Sequence, residues 1–210
     1  MSDGTENKFN YQVTLQDAKV RFTQLDLPAI ALRAGAEQVS GTTLRIKFLG
    51  RDYLVSADGE VATGVEVGEA TIAEQILLLH YLAQAEGVPV QHKLISFKEL
   101  PGGAIYINPF TNRAIKPLVA AFGADPEQLL AHGTVLGGSK ASPGDVSVCV
   151  DVFPYVPITL VLWAGDDEFP ATGNILFDIS APHYLPTEDY AVLASMLVAR
   201  LKQLQAASAN

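Results

Sequence analysis

The chain has 210 residues, 49% of them hydrophobic and 18% charged, which is enough apolar material for a large buried core and excludes a disordered chain. Fourteen basic and 23 acidic side chains give a net charge of −9, and Lys and Arg are scattered, so nothing offers a nucleic acid backbone a basic patch. Such acidity favours cationic partners or metal ions.

In chain order, residues 1–10 read as a flexible tail and residues 11–210 as one α+β domain. Leu15, Ala18, Phe22 and Leu25 follow helical spacing behind a Thr14 cap, and Pro28 is expected to close that helix. Thr43–Leu49 alternates apolar and polar as a half-buried strand, with Gly50-Arg51 as a hairpin turn into Tyr53–Val55. Val61–Val67 reads as a third strand. Thr71 and Glu74 form a capping box before ILLLHYL, a helix apolar on most sides, in which His80 reads as a hydrogen-bonded interior histidine. His92–Glu99 and Ala104–Ile107 read as strands, and Pro109–Phe122 as a helix that Pro117 should break or kink. Asp125-Pro126-Glu127 starts another short helix.

Val146, Val148, Val150 and Val152 share one face of a strand. The run Pro157–Trp163 is continuously apolar, as in a central strand covered on both faces, and Asn174–Ser180 is expected to pair with it. The last helix begins at a Thr187 cap, carries Glu188 and Asp189 in its first turn, and aligns Tyr190, Leu193, Leu197, Leu201 and Leu204 in a stripe facing the sheet. The expected architecture is a mainly antiparallel sheet with helices packed on it and a long C-terminal helix.

The single Cys149 makes no internal disulfide, cannot alone hold an iron–sulfur cluster, and reads as a buried inert thiol. The N-terminus lacks a signal pattern and the longest apolar run is too short to span a bilayer, so a soluble cytoplasmic protein is expected.

The candidate site is the acidic turn Trp163-Ala-Gly-Asp-Asp-Glu-Phe-Pro170. Asp166, Asp167 and Glu168 are bracketed by Trp163 and Phe169, and aromatics beside carboxylates can wall a ligand. A solvated hairpin loop explains the same residues without function. Asp178 interrupts an apolar strand, and a buried carboxylate needs donors or a cation. If the hairpin ends meet the helix start, Asp166–Glu168, Asp178, His183 and Glu188 share one acidic mouth. Oxygen ligands of that kind suit a hard divalent cation, and carboxylates with a histidine suit acid–base work. Capping by Thr187 and Glu188 accounts for part of the pattern. No cofactor motif is present: GTVLGGSK lacks the phosphate-loop ending, and there is no HExxH, CxxC, nucleophile elbow or GxGxxG.

The stretches ILLLHYL (76–82), SFKELPGG (96–103), the Gly-Asp pair at 144–145, FPYVPITLVLWAGDDEFPATGNILFD (153–178) and YLPTED (184–189) resemble a family of bacterial and archaeal proteins catalogued as domain of unknown function 3786. The resemblance carries no activity with it. Some members resemble fusions to iron–sulfur domains, which implies work near anaerobic redox or one-carbon chemistry, although this chain lacks the cysteines to hold a cluster. Two functional classes stay open. One is a binding or accessory module that recognises a protein partner or small ligand around Trp163–Pro170 and His183–Asp189. The other is a metal-assisted, hydrolase-like enzyme using Asp166, Asp167, Asp178, His183 and Glu188.

Overall fold

A computed structural model describes residues 3–64 and 68–208, with side chains from residue 10 onward. The expected α+β architecture is present, with helices, antiparallel strands and a long C-terminal helix. Among the described residues the strands form two sheets, and packing divides the chain into two units: Met1–Val88 with His183–Leu185, and Pro89–Pro182 with Pro186–Asn210.

In the first unit, α1 spans Asp3–Phe22, ahead of the Thr14 start that helical spacing suggested. Pro28 opens a helix rather than closing one: Asp26 caps α2 (Leu27–Ala34) through the Ala29 N–H, and a proline in the first turn loses no helical hydrogen bond. Strands β1 (Glu37–Ser40), β2 (Thr43–Phe48), β3 (Arg51–Ser56) and β4 (Val61–Thr63) form an antiparallel meander in that order. Residues 65–67 of the expected third strand lie outside the described residues. The turn between β2 and β3 is Leu49-Gly50, since Phe48 pairs with Arg51. Both central residues have positive φ, 48° and 77°, as a type I′ turn requires to match strand twist.

Helix α3 (Ile72–Gln84) carries the expected capping box, and Ile76–Leu79, Tyr81 and Leu82 are all buried. It packs on α1 and α2. Tyr184 is fully buried in this unit, stacked on Tyr81 with ring centroids 5.7 Å apart, and its hydroxyl donates to the Val88 carbonyl.

In the second unit the sheet order is β5-β9-β8-β7-β6, all antiparallel. The strands are β5 (Leu94–Ser96), β6 (Ser139–Lys140), β7 (Val146–Phe153), β8 (Val156–Trp163) and β9 (Thr172–Asp178). The apolar run of β8 lies between β7 and β9 and is buried at Val156, Ile158 and every position from Thr159 to Leu162, as a covered central strand must be. The strand expected at Ala104–Ile107 is instead helical. Helix α4 (Gly103–Phe110) runs into a π-helical segment, Thr111–Ile115, and then α5 (Lys116–Phe122). Pro117 has no N–H for the Arg113 carbonyl, and just before it the helix widens so that the Lys116 N–H reaches Thr111. Helix α6 spans Glu127–Val135 and α7 spans Thr187–Ser208. Tyr190, Leu193, Leu197 and Leu201 of α7 are buried and Leu204 is half-buried; α7 packs chiefly on α4, α5, α6 and the π-helical segment rather than on the sheet, which it meets where Tyr190 touches Phe177. An aromatic cluster anchors this core: Phe97 stacks on Phe110 at 3.9 Å, both tilt against Phe177, and Tyr190 meets Phe177 edge-on. Among the described residues no helix is long and apolar enough to cross a membrane.

Candidate functional site

The acidic turn joins β8 to β9, and its local structure is built by side chains that the turn consumes. Trp163 ends β8 opposite Thr172 and is 40% exposed. Asp145 fixes the exit of the strand: its carboxylate accepts from the Ala164 N–H at 2.8 Å, and its own N–H donates to the Leu162 carbonyl at 3.0 Å. The preceding Gly144 has φ 71°, and a Cβ there would stand 2.6 Å from Val161 Cγ1 and 2.7 Å from the Leu162 carbonyl oxygen. Gly165 allows the loop to close on itself, since a Cβ would lie 2.7 Å from the Ala171 nitrogen.

Asp166 then folds the tip. Its N–H donates to the Phe169 carbonyl at 2.9 Å, and its Oδ1 accepts from the Phe169 N–H at 2.7 Å and the Glu168 N–H at 2.9 Å. Those two backbone donors, Phe169 first, hold its carboxyl below the usual carboxylate range. Asp166 is therefore committed to the turn, while Asp167, Glu168 and Phe169 stand exposed around it, Phe169 at 68%.

Asp178 lies at the far end of β9. It lies six residue steps beyond Thr172, about 20 Å at strand rise. It is 2% exposed and fully engaged. Oδ1 accepts from the Gln91 N–H at 3.0 Å, the Ser180 N–H at 3.0 Å and the Ser180 hydroxyl at 2.6 Å; Oδ2 accepts from the Lys93 N–H at 3.2 Å. His92, between two of the donors, takes φ 55°, so the chain curls around the carboxylate. Burial opposes ionisation here, but the Ser180 hydroxyl and the three backbone donors outweigh it and hold the carboxyl below its usual range.

His183 belongs to the first unit, where its Nδ1 lies 2.7 Å from Glu86 Oε2 and the Glu86 N–H donates to its carbonyl at 3.2 Å. Glu188 is exposed in the first turn of α7. Thr187 is the first residue of α7, and its hydroxyl donates to the Pro101 carbonyl at 2.7 Å.

The structure therefore brings together Trp163, Asp166, Asp167, Glu168 and Phe169 and separates them from Asp178, whose buried carboxylate has a structural job. Within the second unit the acidic turn and Asp178 stand at opposite ends of β9. Among the described residues no three His, Cys, Asp or Glu side chains are grouped to hold a metal ion. Cys149 is half-buried, and burial pushes its thiol up, with a Thr159 hydrogen bond opposing, so it is a poor nucleophile. Sequence reading missed Asp145. Its signal was a Gly-Asp pair placed where a strand must be entered through a tight turn.

No curated protein and no solved structure matches the chain. A family model described as a domain of unknown function (DUF3786) matches residues 26–200, and the chain belongs to that family.

Proposed function

We propose that this chain is a binding or accessory module that recognises a partner protein through the tip of the β8–β9 loop. One observation carries the reading: an ordered turn, satisfied by its own Asp166 and by Asp145, holds Phe169 at 68% exposure beside Trp163, Asp167 and Glu168. Folding gains little from an aromatic ring left in water, whereas aromatic anchors on a preordered loop lose little entropy on binding. The carboxylates beside it select a cationic surface around an apolar socket and steer its approach. The resemblance to proteins fused to iron–sulfur domains suggests an anaerobic redox or one-carbon enzyme in the cytoplasm as the partner.

The test is quantitative affinity capture from source cells with the wild-type chain, Phe169→Ala and the charge reversal Asp167→Lys. Affinity for a partner retained by the wild type should fall about thirtyfold or more with Phe169→Ala, as loss of a central anchor costs about 2 kcal/mol or more, and should also fall with Asp167→Lys, which repels a cationic surface. Titration of the purified partner should shift the emission of Trp163, the single tryptophan. Identical retained sets for all three chains refute the reading.

A further inference from the structure

The second unit holds a groove of about 520 Å³ where β5 gives way to a short 3-10 turn and the open start of β9 faces the π-helical segment. The geometry points to this groove as a binding site for a small organic anion, a carboxylate or phosphate carrying an apolar part. It is separate from the loop reading above, because no residue of 163–169 lines it.

Three observations converge. First, the lining is cationic and donor-rich on a chain of net charge −9: it includes Lys98, Asn108, Thr111 and Asn174, and no carboxylate. Among the described residues no ion pair engages Lys98. The neighbouring Glu99 is not among the lining residues, and its carboxylate is engaged by the lining residue Ser96, accepting from its N–H at 2.7 Å and its hydroxyl at 2.8 Å. Asn174 uses Oδ1 to accept from the Ile175 N–H at 2.9 Å, which leaves its Nδ2 group as the donor to a ligand. Second, the groove has an apolar wall, Ile107 and Ile115, both half-buried, so it offers an ammonium and amides beside hydrocarbon. Its volume lies in the range of small-ligand sites. Third, Thr111 and Ile115 are the first and last residues of the π-helical segment, and the wider turn sets both on the groove side. Pro117 accounts for a break in the helix, and the break falls where it supplies one polar and one apolar contact to the same cavity. π-Turns recur at ligand sites because they trade helix stability for such a placement.

The test uses the full 15N-labelled chain and four probes: phenyl phosphate, benzoate, inorganic phosphate and the neutral benzyl alcohol. Either aromatic anion should shift the Thr111 and Asn174 amides saturably. Benzyl alcohol, which lacks the charge, and inorganic phosphate, which lacks the ring, should each bind about tenfold more weakly or worse. Lys98 is exposed, so Lys98→Glu should leave the rest of the spectrum unchanged while weakening the anion about tenfold or more, and Lys98→Arg should restore it. Whichever of phenyl phosphate and benzoate binds more tightly identifies the headgroup. The proposal is overturned if neither aromatic anion shifts those amides, if Lys98→Glu binds as the wild type does, or if benzyl alcohol binds equally well.

Discussion

Replacing Asp178 by Asn keeps the size of the side chain and removes its charge. The native carboxylate accepts four hydrogen bonds, three of them from backbone N–H groups, at a site 2% exposed. In the variant one oxygen becomes an NH2 group, so either the Lys93 donor or the Gln91 and Ser180 donors meet another donor. A buried donor left without an acceptor costs about 1–3 kcal/mol, and the remaining bonds lose their charge assistance, so the total loss is about 2–4 kcal/mol. The assay is denaturant unfolding followed by Trp163 emission, a probe within the same unit as Asp178. The pH dependence supplies a second check. The native carboxyl is depressed, so its contribution is complete above the unfolded value of about 3.9 and is lost as pH falls through the lower native value. The gap between wild type and Asp178→Asn should be flat from about pH 5 to 8 and should close below about pH 4. A loss under about 1 kcal/mol, or a gap that ignores pH, refutes the assignment of Asp178 as a structural acceptor.

Gly144→Ala places a Cβ 2.6 Å from Val161 Cγ1 on a backbone of φ 71° and should cost about 2–4 kcal/mol, read as a lowered unfolding midpoint. Leu49→Asn tests two opposed effects: Asn relieves about 1 kcal/mol of left-handed strain but forfeits about 2 kcal/mol of burial, so the variant should be less stable. Tyr53 is pushed up to about 12 by burial and then by the Glu74 carboxylate that accepts its hydroxyl at 3.0 Å. Its raised value stabilises the fold fully below about pH 10, with the benefit lost as pH rises through about 12. Ultraviolet titration should show the Tyr53 phenol, assigned by its loss in Tyr53→Phe, ionising late, and Glu74→Gln should bring it earlier.

The strands β7 to β9 were legible because their burial pattern is written in alternation and in one unbroken apolar run, and α3 because Thr71 and Glu74 announce it. The segment 104–107 was not. Ala-Ile-Tyr-Ile has strand-like residues, and only its neighbours, the left-handed Gly102 and the ring of Phe110 stacked on Phe97, make it helical. Pro28 was misassigned because proline both precedes and follows helices, and Asp26 decides which. The turn residues of the candidate site were readable as a group, since they are contiguous. Their association with Asp178 was not, because proximity in number ignores the length of the strand between them. The groove at Lys98, Thr111 and Asn174 joins three segments far apart in the chain, and no local pattern announces such a meeting.

A role reserved for a partner requires that the outward side chains of the β8–β9 turn be dispensable for folding. The most direct measurement is the unfolding free energy of the chain carrying Asp167→Ser, Glu168→Ser and Phe169→Ser together. The exposed positions predict a change within about 0.5 kcal/mol of the wild type. A loss above about 2 kcal/mol would show that these residues hold the hairpin together and would contradict a role reserved for a partner.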